Sequence, residues 1–296
     1  MCNKYNICAL VTVYYPDNTV VENMKLVEKQ VTSIIIADNT PKKDNSYLFK
    51  NIRKIFYYSN KINMGLSMAF NNSLKRDKVI NSDYILFLDQ DTVIPEKLAE
   101  TLINDYNKIR QSDVKVGCLG PVYYESNSME IKKLINEKNK IMDNIYTIQC
   151  IMTSSMLTTY DNLKKIGFWN ENIFLDFADW DLCWRWKNVD LLCCVTKNAI
   201  INHRVGEAVK KKGPFSLKVG PPIREYYQTR DCLKLLLKKY TPIRYKFKFI
   251  LIITIRPIVH IIFLTQKYLR AKYIVCGIVD FFRSINYSFD LRKTNV

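Results

Sequence analysis

Short apolar segments alternate with segments of helical spacing along the first part of the chain. The apolar segments have the length and composition of strands buried on both faces, and they cover residues 7–14, 31–37, 52–58, 84–88 and 116–121. Helix-like segments fall between them, at residues 20–30, 63–71 and 96–111. Strands that alternate with helices are typical of βαβ units, so the pattern predicts an α/β fold with a parallel sheet.

Beyond residue 121 the pattern is less regular. Residues 125–146 are charged and are predicted to form a loop or a mobile excursion, whereas residues 191–201 have the apolar character of another strand. Residues 207–214 are polar and basic, with Gly213 as a candidate hinge. Such a stretch is typical of a solvated loop, and also of a lid over a phosphate-bearing ligand. A helix is predicted from residue 224 to 240.

The strand at residues 84–88 ends at two carboxylates, Asp89 and Asp91. Residues two apart on an extended backbone point to the same side. In an open α/β sheet, ligands bind beyond the carboxyl ends of the strands. Two carboxylates there suit Mg²⁺ or Mn²⁺, which in turn would hold a phosphate-bearing ligand. The alternative is a solvated Asp-x-Asp turn.

Asp38 repeats this pattern, because it also follows a buried strand directly. A carboxylate at a strand end can accept a hydrogen bond from a base N–H or a ribose hydroxyl. An Asx-turn with Asn39 is the alternative. The chain contains neither of the glycine-rich phosphate loops, G-x-x-x-x-G-K-[ST] and G-x-G-x-x-G, which argues against a kinase or a Rossmann dehydrogenase. The charge of a diphosphate would therefore be neutralised by the metal.

A second dense stretch holds three acids, Asp176, Asp179 and Asp181, among six aromatic residues. Apolar surroundings raise the proton affinity of a carboxylate, which suits a general base. If the chain is helical from Ala178, Asp181 pairs with Arg185 one turn later and Asp179 lies on a different face. The alternative is a set of acids that stabilise a helix N-terminus.

His203 follows the predicted strand at residues 191–201. A lone histidine in such a place is commonly structural. Here a neutral imidazole would complete a metal sphere that otherwise holds only carboxylates, so a ligand role is also open.

Charge divides the chain unequally. Residues 1–203 carry 25 Lys and Arg and 23 Asp and Glu, whereas residues 204–296 carry 20 and 5. A basic segment favours anionic partners such as nucleic acid, phosphate groups or the cytoplasmic face of a membrane. The nine cysteines show no C-x-x-C spacing, and we expect buried, reduced thiols of a cytosolic protein without a signal peptide.

Residues 249–264 are apolar but are interrupted by Arg256, Pro257 and His260, so they are too short and too polar to span a membrane. Basic residues flank them, and a further amphipathic run follows at 273–283. An interfacial helix pair on an anionic membrane and a helical hairpin packed on the catalytic domain both fit this pattern.

These motifs together resemble glycosyltransferase family 2, which has a GT-A fold, and are most similar to its bacterial rhamnosyltransferase branch. The resemblance extends from the first strand to about residue 283. It is carried by the following motifs: Tyr14-Tyr-Pro-Asp17, Ala37-Asp38-Asn39, Asn63-x-Gly65-x-Ser67-x-Ala69-x-Asn71, Asp89-Gln-Asp91, Gly167-Phe-x-x-Glu171, Asp179-Trp-Asp181-Leu-Cys-Trp-Arg185, His203 and Arg224-x-x-Tyr227-x-x-Arg230.

The resemblance implies a fold and a domain organisation. The fold is α/β of the GT-A, Rossmann-like type, with a mostly parallel central sheet flanked by helices and a basic C-terminal helical extension. The catalytic domain would cover residues 1–215, with a nucleotide-sugar half at about 1–121 and an acceptor half at about 122–215. Residues 216–296 would form the basic, partly apolar helical region.

The resemblance also implies roles for individual residues. The nucleotide would be held by Thr12, Tyr14, Asp38, Asn63 and Asp89. The Mg²⁺ or Mn²⁺ ion would be held by Asp91, Asp89 and His203. Asp179 would be the base that deprotonates the acceptor hydroxyl. The acceptor side would be formed by Asp181, Trp180, Arg224, Tyr227 and Arg230.

The implied activity is that of an inverting glycosyltransferase in cell-surface polysaccharide synthesis, with a dTDP- or UDP-sugar donor and a lipid-linked saccharide acceptor. The Asp-Gln-Asp form favours rhamnose from dTDP-rhamnose, with glucose, galactose or N-acetyl sugars from UDP as alternatives. The protein would be cytoplasmic and peripheral on the inner face of an anionic membrane. Nucleic acid is not an expected partner, because the aromatic residues cluster with the acids rather than with the basic residues.

Two positions depart from the family pattern. Ala178 stands where Glu is usual before the catalytic Asp, and Val13 stands where Thr is common, with Thr12 beside it. The alternative function is therefore a non-catalytic nucleotide-sugar- or glycan-binding subunit with a degenerate transferase fold.

Overall fold

The structure is a computed structural model that describes residues 4–125, 135–203, 208–212 and 215–286. The chain divides into two compact units. The first comprises Met1–Glu171 and Ala178–Val205, and the second comprises Asn172–Phe177 and Gly206–Val296. The boundary at residue 215 remains a prediction. The short segment Asn172–Phe177, which lies inside the predicted catalytic domain, groups here with the second unit.

Nine strands from the described part of the first unit form one sheet. They are β1 (Ile7–Val13), β2 (Ser33–Asp38), β3 (Ile55–Ser59), β4 (Tyr84–Asp89), β5 (Val116–Glu125), β6 (Lys140–Met142), β7 (Ile145–Ile148), β8 (Met156–Thr158) and β9 (Leu192–His203). Their order across the sheet is β3-β2-β1-β4-β8-β5-β9-β7-β6. The first four strands match four of the predicted apolar segments, and β1, β2 and β4 are buried almost throughout.

The sheet is mixed rather than mostly parallel. Strands β3, β2, β1 and β4 are parallel to their neighbours, and β5 and β9 form a further parallel pair. Strand β8 runs antiparallel to both β4 and β5, and β7 runs antiparallel to β6 and β9. Strands β6 and β7 are antiparallel because only two residues connect them, and only an antiparallel pair can be joined by a two-residue turn. Asn144 supplies the positive φ (61°) in that turn.

The helices of the first unit are α1 (Asn18–Glu28), α2 (Gly65–Leu74), α3 (Asp77–Ile80), α4 (Leu98–Arg110), α5 (Tyr160–Lys165) and α6 (Ala178–Lys187). Asp17 caps α1 by accepting hydrogen bonds from the backbone N–H groups of Thr19 and Val20. Gly65 begins α2 at φ 79°, a conformation that glycine adopts without steric cost. The apolar faces of α1 and α4 contribute Met24, Val27 and other fully buried side chains to one continuous core with β1, β2 and β4.

Three local predictions were wrong. Strand β5 does not end at Gly120-Pro121 but continues to Glu125, because a register shift after Pro121 accommodates a residue that cannot donate a ladder hydrogen bond. Residues 140–148 form strands rather than a loop. Residues 208–212 form β10, which pairs with β11 (Phe215–Val219). The hinge predicted at Gly213 lies outside the described residues.

Eight cysteines lie in the described part of the chain, and all are free thiols there, as predicted. Six are buried, and Cys150 and Cys276 are half-buried. Burial raises the pKa of Cys8 to about 11 and that of Cys194 to about 12. These thiols are therefore protonated near neutral pH and pack as small apolar side chains.

The second unit contains the β10–β11 hairpin and three helices, α7 (Ile223–Leu236), α8 (Ile243–Phe263) and α9 (Lys267–Asn286). Helix α8 packs against both α7 and α9. Within the described residues, no helix combines the length and apolar character needed to cross a bilayer.

A buried ionic cluster joins the three helices. Glu225 of α7 is 3% exposed, and its Oε1 contacts Nδ1 of His260 on α8 at 2.7 Å and NH1 of Arg270 on α9 at 2.9 Å. Burial raises the pKa of Glu225, but the hydrogen bond with His260 and the charges of Arg256 and Arg270 outweigh burial and leave that pKa below its usual value. Glu225 is therefore charged at neutral pH and holds the helices together.

Replacing Glu225 by Gln should lower the free energy of unfolding by about 3–5 kcal/mol, because Arg270 would remain buried without its counter-charge. Urea unfolding followed by far-UV circular dichroism measures this. Because the folded pKa lies below the unfolded value near 4.5, the stabilisation is present above that value and declines as the pH falls through the folded pKa.

The matched control is Glu22→Gln, which removes an exposed pair with Lys25 and should cost less than about 1 kcal/mol. Equal losses in the two variants would show that the Glu225 cluster does not stabilise the helices.

Candidate active site

The carboxyl ends of β1, β2 and β4 lie side by side at one edge of the sheet. In the register, Thr12 of β1 lies opposite both Ala37 of β2 and Asp89 of β4, and Val13 lies opposite Asp38. Three predicted nucleotide-site residues are thus brought to the carboxyl ends of adjacent strands: Thr12 and Asp89 lie level, and Asp38 lies one residue further along β2. This is the edge at which open α/β sheets bind ligands.

The Asp38 carboxylate is fully buried and is oriented by three donors. Its Oδ1 accepts the backbone N–H of Thr40 at 2.7 Å, and its Oδ2 accepts the Asn45 side-chain amide at 2.8 Å and the Tyr57 hydroxyl at 2.6 Å. Burial, and then the hydrogen bond to Asp38, raises the pKa of Tyr57. A carboxylate has about four acceptor positions, so these three bonds do not saturate it. The contact of this buried carboxylate with a base N–H stays a prediction.

Gln90 connects the metal-site motif to the loop after β1. Its Oε1 accepts the backbone N–H of Tyr14 at 2.8 Å, and its Nε2 donates to the backbone carbonyl of Tyr14 at 3.3 Å. One carboxamide therefore satisfies both main-chain groups of Tyr14 and fixes where its side chain leaves the backbone. Because Gln90 lies between Asp89 and Asp91, the loop and the carboxylates are linked to each other directly.

Tyr14 and Asn63 lie close together at this edge. Burial, followed by the neighbouring Tyr15, raises the pKa of Tyr14, and a hydrogen bond with the Asn63 side chain partly offsets the rise. Asn63 also accepts the backbone N–H of Gly65 at 3.1 Å, at the start of α2. Asn39 donates to the Gly65 carbonyl at 3.0 Å. The predicted contacts of Tyr14 and Asn63 with a nucleoside stay predictions, but the two residues are neighbours.

Asp89 and Asp91 form the candidate metal centre. Desolvation first, and then the negative charge of Asp91, raises the pKa of Asp89 to about 7. Carboxylate oxygens are the donors that Mg²⁺ and Mn²⁺ prefer, and such ions keep several waters or substrate oxygens in their sphere. The pair therefore fits an ion completed by a diphosphate.

The rest of the predicted metal sphere is not described. His203 ends β9 opposite Glu125, but its side chain lies outside the part of the chain that the structure describes. In that described part, no group of three or more His, Cys, Asp or Glu side chains could hold a metal ion by itself.

Helix α6 presents the acidic and aromatic cluster. Asp179, in the first turn of α6, is half-buried, and its Oδ1 accepts the backbone N–H of Trp180 at 2.9 Å. Asp181 is fully buried, pairs with Arg185 at 2.7 Å and accepts from Asn170 at 3.2 Å. The predicted pairing of Asp181 with Arg185 is confirmed. The acceptor-side roles of Asp181 and Trp180 stay predictions. The contacts of Asp181 described here are with other side chains of the protein itself.

A second carboxamide fixes the loop that precedes α6. Asn71 of α2 accepts the backbone N–H of Trp169 at 3.0 Å and donates to its carbonyl at 2.9 Å. Asn71 also donates to Glu171 at 2.9 Å. The Trp169 ring packs against Phe70 of α2 and Phe87 of β4, with ring centroids 5.1 and 5.2 Å away. The loop is thereby fixed to the strand that ends at Asp89.

The remaining acceptor-side residues lie in the second unit. Arg224 pairs with Asp176 through two nitrogen atoms, and Tyr227 stacks on Phe174 with ring centroids 3.7 Å apart. Arg230 is buried against Asp231, whose other oxygen accepts the backbone N–H of Phe174 at 2.9 Å. These side chains hold the segment Asn172–Phe177 on α7. Their contact with an acceptor stays a prediction.

The fold and the strand ends are those of an α/β protein that binds its ligand at the carboxyl edge of the sheet. The chain belongs to glycosyl transferase family 2, whose family model matches residues 9–203. The predicted family and fold are confirmed. A curated relative, dTDP-rhamnosyl transferase RfbF from Shigella flexneri, is 22% identical over 255 residues, which cover 80% of this chain and 82% of that protein. The chain is thus a rhamnosyltransferase-like member of the family.

Solved structures share the fold at 12% identity. GalNAc-T7 with UDP, GalNAc and Mn²⁺ superposes with a TM-score of 0.57 over 83% of this chain, and S. aureus TarS with 0.56 over 95%. This chain spans about half of each, 54% and 49% respectively. A TarS fragment, residues 1–349 with UDP-GlcNAc, gives 0.54 and is covered to 81%.

The sequence did not predict the hydrogen bonds that Gln90, Tyr57 and Asn45 make at the site. It also did not predict that Asn71 would bond the backbone of Trp169. Gln90 was visible only as the middle of Asp-Gln-Asp, and no local pattern indicates which backbone an amide will contact. Asn45 and Tyr57 are 7 and 19 residues from Asp38, and only the parallel pairing of β2 with β3 brings Tyr57 beside it.

Replacing Gln90 by Met should weaken the binding of dTDP or UDP in the presence of Mn²⁺ by about tenfold. Two hydrogen bonds to Tyr14, each worth about 0.5–1.5 kcal/mol, would be lost while side-chain volume is nearly kept. Isothermal titration calorimetry on the two proteins measures the change.

The control is Gln30→Met. Gln30 also bonds two backbone groups, the Pro95 carbonyl and the Ala99 N–H, but away from the strand ends. It should lose stability without losing nucleotide affinity. Equal affinity in the Gln90 and Gln30 variants would contradict a positioning role for Gln90.

Proposed function

We propose that this protein is an inverting, metal-dependent glycosyltransferase that moves a sugar from a nucleoside diphosphate to a lipid-linked glycan acceptor. The observation that carries the proposal is the placement of Thr12, Asp38 and Asp89, within one residue of each other, at the carboxyl ends of three adjacent strands. Membership of glycosyl transferase family 2 supports it. The preferred donor is dTDP-rhamnose, because a relative that aligns with 80% of this chain is a dTDP-rhamnosyl transferase.

The nucleoside would lie along the edge formed by β2 and β1. Asp38 would accept from the pyrimidine N–H through its remaining acceptor position, held in orientation by Tyr57 and Asn45. Thr12, Tyr14 and Asn63 would contact the base and ribose. The half-exposed Tyr14 ring is available for this, with 46% of the residue accessible.

The diphosphate would lie over Asp89 and Asp91. These two carboxylates, with His203, would hold Mg²⁺ or Mn²⁺, and the ion would supply charge stabilisation to the departing nucleoside diphosphate. Gln90 would hold the Tyr14 loop beside these carboxylates before the donor arrives, so that little ordering would be needed on binding.

Asp179 would act as the general base. Its carboxylate takes the proton of the acceptor hydroxyl, whose oxygen attacks the anomeric carbon from the face opposite the leaving group. The bond between that carbon and the diphosphate oxygen breaks, and its electron pair leaves with the nucleoside diphosphate. A single displacement inverts the anomeric centre. Correct placement and exclusion of water suffice for this role.

The acceptor would be a saccharide on a lipid carrier in cell-surface polysaccharide synthesis, at the inner face of the cell membrane. Trp180 and α7 would contribute to its binding, through Arg224, Tyr227 and Arg230. Asp181 would act indirectly, since its pair with Arg185 fixes the first turn of α6 on which Asp179 lies.

The second candidate function is a non-catalytic nucleotide-sugar- or glycan-binding subunit. Ala178 favours it, since this residue precedes Asp179 where family members usually carry Glu, and it is 2% exposed. Retention of Asp179, Asp89 and Asp91 favours the enzyme.

Replacing Asp179 by Asn should reduce turnover by at least about a hundredfold, because the amide cannot accept the hydroxyl proton. Affinity for the donor nucleotide should stay unchanged. Product formation from a radiolabelled donor, with dTDP-rhamnose, UDP-glucose, UDP-galactose and UDP-N-acetylglucosamine in parallel, measures turnover and identifies the sugar. Calorimetry measures affinity.

The matched control is Asp161→Asn, which changes an exposed acid in the first turn of α5 and should leave both quantities unchanged. Full turnover in the Asp179 variant would remove Asp179 as the base. Nucleotide binding by the unchanged protein without turnover on any acceptor would favour the binding subunit.

Replacing Asp91 by Asn should abolish the difference in nucleotide affinity between Mn²⁺ and chelator, since one of the two charged oxygen donors is lost. Calorimetry with and without EDTA tests this. A Mn²⁺-dependent affinity that persists in the variant would place the ion elsewhere.

A further inference from the structure

One face of α8 is apolar and exposed along its whole length. Seven apolar residues on this face are each between 42% and 69% accessible, and their spacing follows the helical repeat. They are Ile243, Phe247, Ile250, Leu251, Ile255, Ile258 and Ile262. This spacing puts them in one stripe that is about 28 Å long at a rise of 1.5 Å per residue. We call this set the α8 stripe.

The α8 stripe differs from the surface of an ordinary amphipathic helix. The buried side of α8 carries Phe249, Pro257 and His260, where the helix packs against α7 and α9. The opposite side of such a helix is normally polar. Contiguous apolar surface of this extent marks a site of interaction with a protein or a membrane. Helix α9 adds a further exposed apolar set, with Tyr268, Val275 and Phe282 among its members.

The charge around the stripe identifies the partner. Between Cys232 and Val279 the chain has ten Lys and Arg residues and no Asp or Glu. Arg256 and Arg270 face the buried Glu225, but Arg244 and Lys248 are exposed on α8 beside the stripe, as are Lys267 and Lys272 on α9. Apolar surface flanked only by cations is complementary to anionic lipid head groups above an acyl layer.

We infer that the α8 stripe and its basic flanks form a docking surface for an anionic phospholipid bilayer, with α8 lying in the plane of the interface. A second copy of the chain is a poorer occupant, since both copies would bring the same basic stretch, which contains no Asp or Glu, to the contact. The inference rests on the proposed function only in that a lipid-linked acceptor would lie at such a surface.

The test is co-sedimentation of the whole protein with vesicles, in the absence of nucleotide sugar. Wild type should bind vesicles of phosphatidylcholine with phosphatidylglycerol and should bind vesicles of phosphatidylcholine alone at least about tenfold more weakly. Leu251→Glu with Ile258→Glu should reduce binding to the anionic vesicles by more than about tenfold, because two apolar side chains are replaced by charges.

The control carries the same two changes elsewhere, Ile80→Glu with Val189→Glu, at residues of similar exposure in the first unit. It should bind as wild type does. A third variant, Arg244→Gln with Lys248→Gln, keeps the stripe and should reduce the preference for anionic vesicles while binding to phosphatidylcholine vesicles stays unchanged. It tests the inference even if the stripe variant does not fold, which circular dichroism would show.

The inference is overturned if wild type does not sediment with anionic vesicles, or if the stripe variant binds as well as the control. It is also overturned if light scattering without vesicles shows a dimer that the stripe variant converts to a monomer, since a second copy then covers the stripe. Vesicle binding without transferase activity would refute the proposed function alone, and activity on a soluble acceptor without vesicle binding would refute the inference alone.

Discussion

The parallel register of β1 between β2 and β4 is the constraint on which the candidate site depends. The register places Thr12 level with Asp89 and places Asp38 one residue further along, opposite Val13. A shift by one residue would turn every side chain of a strand to the other face. Such a shift would also displace the fully buried residues of β1, including Cys8, Ala9 and Leu10, from their close packing.

Side-chain amides then connect this frame to the irregular segments around it. Gln90 and Asn71 each pair with both the N–H and the carbonyl of one distant residue, Tyr14 and Trp169 respectively. Such a pair mimics one step of a β-ladder where no strand exists. The loops that would contact the ligand are therefore ordered without regular secondary structure, as functional loops on a rigid scaffold commonly are.

Much of this architecture could be predicted from local patterns. The buried strands were evident because each is a continuous apolar run, and the Asp181–Arg185 pair followed from helical spacing alone. The predictions for the end of β5 and for β6 and β7 failed for a different reason, which is the lack of a local signal in the sequence. The edge strand β6 is three residues long and begins with an exposed lysine, and β7 has only four residues, so neither gives a long apolar run. Pro121 is accommodated in β5 by an irregular register that no local pattern reveals. The donors to Asp38 come from a loop and a neighbouring strand, and only the tertiary structure brings them together.

The way Gln90 contacts Tyr14 has a consequence for how the protein can change. Gln90 bonds only the main chain of residue 14, and the ring itself is half-exposed and takes no part in those two bonds. Another side chain at position 14 would therefore leave both of those bonds in place. Under the proposed function, in which Tyr14 contacts the nucleoside, an exchange at this position would change the surface offered to the nucleobase while the backbone path and the sheet stay as they are.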